Sequence, residues 1–285
     1  MVDILIFDRK QKELVCEKTY GSKATAFLYG TFVGGLVLAI AKRRLVSKIY
    51  AMFQKKGSSQ KKIIKFAHEY GIKIDSPSAY GSFNDFITRK EQRQVDGAKN
   101  ALLSPADSCL TATKINDGAL IEVKGKKYTI AQLVKDQSLA KEYEAGYALI
   151  FRLAVYDYHR YCFPDSGTII AQKTINGVLD SINHGATGKF SLCTNYRKVS
   201  LLETTNFGKV AFVEVGAMLV GRIVNTHEPK AFDKGDEKGY FEFGGSTIVM
   251  LLKSGAAAID EDILHHSANN TETKVSYGER IGTKT

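Results

Sequence analysis

"YFEFGGSTIVMLL", residues Tyr240 to Leu252, alternates apolar and polar side chains as a strand does, then meets Gly244 and Gly245. After Ser246 and Thr247 it resumes as an unbroken apolar run. Glycine weakens a strand interior and marks a bulge, a bend or a close backbone approach. The stretch therefore reads as a strand broken at a Gly-Ser bond, and it sets a β-rich expectation for the sequence around it.

Working outward, "GALIEVKGKKYTI" (118–130), "GYALIFRLAVY" (146–156), "GTIIAQKTING" (167–177) and "KVSLLETTNFGKVAFVEVGAMLVGRIV" (198–224) are further short β-rich runs between Gly, Asn and Asp turns. "TTNFGK" (Thr204 to Lys209) has the composition of a hairpin connection. Many short strands at close spacing predict an α+β chain whose body is a β-rich barrel or sandwich, not alternating β-α units. "SFNDFITRK" (82–90) predicts a short helix, with Ser82 as N-cap and Phe83, Phe86 and Ile87 on one face. The polar stretch "KEQRQVDGAKN" (90–100) breaks the periodicity. It divides an N-terminal basic, largely helical region (1–95) from a β-rich domain (96–285).

The 285 residues are 44% hydrophobic and 25% charged, enough for a sizeable core. Four scattered cysteines form no C-x-x-C pair, and six histidines show no ligand spacing, so no metal site is expected. The net charge of +10 is concentrated. Between Thr19 and His68 lie Lys23, Lys42, Arg43, Arg44, Lys48 and five further lysines, with no acidic residue; the rest of the chain is neutral. "ATAFLYGTFVGGLVLAIA" (24–41) carries no charge and is at the short end of what spans a bilayer; a buried core helix is the alternative. "KRRLVSKIYAMFQKK" (42–56) and "KKIIKFAHEY" (61–70) place apolar residues at helical spacing among lysines. Basic amphipathic helices of this kind lie in anionic lipid interfaces. The segment has no recognised nucleic-acid motif, and nucleic acid is not an expected partner.

Three short motifs carry chemistry. "LLSPADS" (102–108) holds Asp107, which alone reads as turn chemistry. "RLAVYDYHRYCFPDSG" (152–167) gathers Asp157, His159, Arg160 and Cys162 among aromatics. The third is Gly244-Gly245-Ser246-Thr247. None is specific alone, but together and in this order they resemble the P-A-D-G, D-Y-H-R-x-H-x-P and G-S-T motifs of the phosphatidylserine decarboxylase family. The resemblance covers about residues 80–285.

Removing CO2 from an amino acid leaves a carbanion that needs an electron sink no ordinary side chain supplies. The resemblance implies that the chain makes one, a covalent pyruvoyl group, with neither pyridoxal phosphate nor a metal. Ser246 would attack the carbonyl of Gly245 to give an ester. Elimination would then free a chain ending at Gly245 and leave the pyruvoyl group in place of Ser246. Asp107 falls to the charge relay that activates the serine. His159 is the candidate proton donor to the substrate carbon, with Asp157 orienting it, and Thr247 or nearby amides stabilise the oxyanion. The implied product is a heterodimer of residues 1–245 and 246–285, with further homo-oligomerisation open. It would act on phosphatidylserine in an anionic membrane, at the cytoplasmic face of the cell membrane. Two departures stand out: Ser108 replaces the first motif's glycine, and Cys162 replaces the second histidine, the usual base partner of the aspartate. The second departure motivates an alternative, an uncleaved, non-catalytic lipid-binding relative. A Cys-His hydrolase built on Cys162 and His159 is a further reading, weakened by the lack of an orienting third group.

Overall fold

The strand that restarts at Ser246 is buried along its whole length, Ser246 to Leu252. Its odd residues pack into one core and its even residues into another, which is why the sequence shows an apolar run in place of alternation. The computed structural model describes residues 4–17, 60–123, 126–179, 192–217, 222–227, 230–242 and 246–285. Gly244 and Gly245, the uncharged run 24–41 and the basic stretch 42–56 lie outside the described residues.

The strands are β1 (Ile4–Asp8), β2 (Glu13–Glu17), β3 (Ala101–Leu103), β4 (Ser108–Lys114), β5 (Leu120–Val123), β6 (Lys126–Thr129), β7 (Tyr147–Leu153), β8 (Arg160–Cys162) and β9 (Gly167–Ile175). They continue as β10 (Arg197–Thr204), β11 (Gly208–Gly216), β12 (Ile223–Asn225), β13 (Ala231–Phe232), β14 (Glu237–Phe241) and β15 (Ser246–Leu252). The last are β16 (Ala257–Ile259), β17 (Glu272–Val275) and β18 (Arg280–Lys284). Short helices are α1 (Gln60–Tyr70), α2 (Phe83–Ile87), α3 (Ile130–Val134), α4 (Gln137–Lys141) and α5 (Glu261–Ala268).

A ten-stranded sheet runs in the order β13-β9-β10-β11-β15-β7-β4-β17-β1-β2, antiparallel except where β1 lies parallel to β17. Two three-stranded sheets, β12-β14-β8 and β16-β18-β3, and a β5-β6 pair complete the β structure among the described residues. Phe151, Phe212, Ile248 and Met250 of the large sheet share a core with Tyr161 and Phe241 of the first small sheet and Ile281 of the second. The opposite face of the large sheet is covered by α3, α4 and their flanks, through Ile130, Leu133 and Ala140. The β-rich architecture thus follows the expectation. The hairpin β1-β2 was not expected: residues 1–95 read as largely helical, yet Ile4 to Glu17 extends the same sheet as the C-terminal β17.

Local signals formed as their residues suggest. Ser82 accepts the Asp85 amide at 3.0 Å and caps α2, whose Phe83, Phe86 and Ile87 are buried. Such a cap contributes about 1 kcal/mol. Between β10 and β11, Gly208 takes φ +62, the left-handed conformation that closes the Thr204–Lys209 hairpin. Helix α1 buries Ile63, Phe66 and Ala67 against Phe83 and Phe86 and exposes its lysines.

One polar contact crosses the core shared by the large and small sheets. Lys238 of β14 donates to Glu214 of β11, both essentially without solvent exposure, and its ammonium lies 5.0 Å from the Phe212 ring. Removing one member of a buried pair leaves the other charge uncompensated. Lys238→Ala is therefore expected to lower unfolding stability by about 3–5 kcal/mol, and Glu214→Leu with Lys238→Met to recover most of it, as read by denaturant unfolding.

Candidate active site

The chain passes twice between the large sheet and the β12-β14-β8 sheet at the same place. Leaving β7 at Leu153, it crosses through Ala154–His159 into β8; β14 ends at Phe241 and β15 begins at Ser246. The Phe241 amide donates to the His159 carbonyl at 2.9 Å, and Ser246 is the ladder partner of Leu153. The two connections are therefore tied together at both ends, and Ser246, Asp157 and His159 belong to one small region.

Several buried polar atoms of that region find no hydrogen-bond partner among the described residues, as do a few elsewhere, such as the Tyr143 and Thr273 hydroxyls. Ser246 and His159 have no solvent exposure, and Thr247 is 1% exposed. The Ser246 hydroxyl, the Thr247 hydroxyl and both ring nitrogens of His159 find no partner among the described residues. An unsatisfied buried polar group costs about 1–3 kcal/mol, which makes this grouping a candidate site. Alternation along β15 separates the two hydroxyls: Ser246 shares its face with Ile248 and Met250, whereas Thr247 shares the opposite face with Val249 and pairs with Arg152.

Burial drives the two titratable groups of the crossing loop in opposite directions. Desolvation, with a smaller contribution from the Arg89 charge, pushes His159 down to about 3, so its ring is neutral at ordinary pH. Asp157 is half-buried by its own exposure, but the surrounding protein desolvates it enough to push its carboxyl up to about 8. The nearby Asp107 charge adds to this rise, against the Ala154 amide that donates to Asp157 Oδ2 at 2.7 Å. One loop thus holds a neutral base and a protonated acid.

Asp107 sits just before β4. Its Oδ1 accepts the Tyr277 amide at 2.7 Å and its Oδ2 accepts Arg93 Nη2 at 3.1 Å. Its partners are therefore a distant backbone amide and an arginine side chain, not the amides of a local turn. Cys162 lies in the same neighbourhood: its amide donates to Pro105 O at 2.9 Å and its thiol to Ser104 O at 3.8 Å. Burial pushes that thiol up to about 12, against a hydrogen bond with Tyr277, and the Asp107 charge adds to the rise. A thiol so held is not a nucleophile, and positions 159 and 162 of an extended segment project to opposite faces, which removes the Cys-His hydrolase reading.

Four polar residues around the site were missed from sequence. Arg93 and Tyr277 hold Asp107, and nothing in their local sequence points to it. Arg152 had a signal, as the one charge in the apolar run 147–153. It pairs with Glu272 at 2.6 Å and Glu17 at 2.8 Å, all of them buried. Tyr156 also reaches Glu17, its hydroxyl donating at 3.0 Å. Among the described residues no cluster of His, Cys, Asp and Glu could hold a metal ion.

A family profile described as phosphatidylserine decarboxylase matches residues 83–283. Phosphatidylserine decarboxylase proenzyme 2 of Clostridium acetobutylicum is 45% identical, over 99% of each chain. Phosphatidylserine decarboxylase proenzymes of Clostridium botulinum and Clostridium perfringens are 40% and 39% identical, over 99% of this chain and 99% and 100% of theirs.

The difference in thiol environment is open to a direct check. Cys16 is exposed and Cys162 is fully buried with its thiol raised. Alkylation of the native protein at pH 8, followed by peptide mass mapping, is expected to modify Cys16 and spare Cys162; prompt labelling of Cys162 contradicts the burial described.

Proposed function

The chain belongs to the phosphatidylserine decarboxylase family, a proenzyme that converts phosphatidylserine to phosphatidylethanolamine after cleavage into two chains, and within that activity we propose how its residues divide the work. The cofactor is a self-generated pyruvoyl group, which supplies the electron sink for decarboxylation. A buried serine with an unpartnered hydroxyl at the first position of a central strand suits its origin, and this observation carries the assignment.

Ser246 is the nucleophile of self-cleavage and Gly245-Ser246 the bond cut. A serine hydroxyl needs a base, and a neutral imidazole in the adjoining crossing loop serves better than a protonated one. His159 takes that role, since burial keeps its ring neutral far below neutral pH. Reprotonating the substrate carbon needs the opposite, a group that still holds its proton at neutral pH. Asp157 meets that need, with Asp107 as the fixed charge that helps it keep the proton. This moves the donor from His159, the expectation from sequence, to its neighbour in the same motif. For the oxyanion, backbone amides near residue 245 suit better than the Thr247 hydroxyl, which faces away from Ser246.

The cut chains stay together because the piece 246–285 provides β15, hydrogen-bonded between β11 and β7. Residues 1–95 provide the membrane contact, at the cytoplasmic face of the cell membrane. The all-basic charge of residues 19–68 suits an anionic substrate lipid, and α1 presents Lys61, Ile64 and Lys65 outward. No helix among the described residues is long and apolar enough to cross a membrane.

Intact mass under denaturing conditions tests the cleavage: fragments 1–245 and 246–285 are expected, and a single chain in Ser246→Ala. Fragments persisting in that variant would move the nucleophile elsewhere. For the proton donor, decarboxylation per matured enzyme is expected to fall as pH rises through about 8, where Asp157 ionises. Asp157→Asn is expected to lower it by roughly 10²–10⁴-fold and remove that limb. An unchanged limb assigns the proton to another group.

A further inference from the structure

The crossing loop Ala154–His159 has little of its own to hold it still. Its internal bonds are the Asp157 amide to Ala154 O at 3.1 Å and the Ala154 amide to Asp157 Oδ2 at 2.7 Å. From outside, Val155 packs with Ile63, Phe66 and Phe83, the His159 carbonyl accepts the Phe241 amide at 2.9 Å, and Tyr158 accepts the Glu91 amide at 3.0 Å and lies against Arg93 and Tyr277. Tyr156 is held differently, from two directions. Its hydroxyl donates to Glu17 Oε1 at 3.0 Å, and its ring stacks on Tyr70 with centroids 4.8 Å apart and planes 12° from parallel.

Those two partners have a meaning in the chain. Glu17 ends β2 immediately before the basic stretch, and Tyr70 ends α1, the helix that closes it. Glu17 is itself anchored, by Arg152 of β7 at 2.8 Å. Burial and the Glu17 charge keep the Tyr156 hydroxyl protonated, so it is a permanent donor. Residues on either side of the basic segment therefore meet at one side chain, and that side chain is bonded in sequence to Asp157.

We propose that Tyr156 is a positioning residue for decarboxylation, clamping the loop that carries Asp157 and His159 between the two ends of the basic N-terminal segment. The proposal rests on the roles given to Asp157 and His159 above. Proton transfer is sensitive to placement, and a shift of about 1 Å in a catalytic group costs roughly 10²-fold in rate. The clamp acts on turnover and not on lipid capture, because Tyr156 is not among the basic residues that face the surface.

The test uses the full chain and mixed vesicles of phosphatidylserine in phosphatidylcholine, with rates expressed per pyruvoyl group. Tyr156→Phe removes the Glu17 bond and keeps the stack; Tyr70→Ala removes the stack and keeps the bond. Each is expected to lower kcat severalfold with KM for surface phosphatidylserine within twofold of the parent, and Tyr156→Ala to lower kcat by roughly 10²-fold. A merely structural residue would reduce the matured fraction and leave kcat per pyruvoyl unchanged. Unchanged kcat in both Tyr156→Phe and Tyr70→Ala, or a change confined to KM, overturns the proposal. If Tyr156→Ala does not mature, those two variants decide. A parent protein that forms no pyruvoyl group fails on the cleavage assignment instead, so the two failures are told apart.

Discussion

The chain between Phe241 and Ser246 must change sheets. Phe241 is held by His159 in the small sheet and Ser246 by Leu153 and Gly216 in the large one, so the few residues between are pinned at both ends. The rest of the site follows from this constraint. The loop 154–159 is tied to the ends of both strands, and the residue proposed to be cut is the first of a central strand.

Charge inside the protein is handled by pairing at the sheet and by shifted titration at the candidate site. Arg152 is met by Glu17 and Glu272, and Lys238 by Glu214. Such pairs contribute little net stability over apolar residues of the same size, but each half is costly alone, so they fix which strands meet. Asp157 and His159 have no such partners. Desolvation outweighs the Ala154 amide and the Arg152 charge that oppose it at Asp157, and it drives the carboxyl up and the imidazole down. The same physical cause thus yields an acid and a base from neighbouring residues of one motif.

Much of the fold was legible because its signals are local. Ser82 caps the helix it precedes, Gly208 supplies the conformation its hairpin needs, and Ile63 and Phe66 share a helix face. The hairpin at Ile4–Glu17 was not legible as part of the large sheet, since its partner β17 lies at the other end of the chain. For the same reason Arg93 and Tyr277 could not be assigned to Asp107. Cys162 was visible as a departure from the family pattern, but its neighbours Pro105, Ser104 and Tyr277 were not.

The sequence by itself determined the β-rich class, the three motifs in order, the place of the basic charge and, through these, the family. Those depend on residue identity and short-range spacing, which a linear string carries in full. Tertiary structure alone decided that burial pushes His159 down and Asp157 up, that Thr247 faces away from Ser246 and that Tyr156 touches both Glu17 and Tyr70. Each depends on what distant parts of the chain bring close. Desolvation and pairing are set by neighbours in space, and a motif does not contain them.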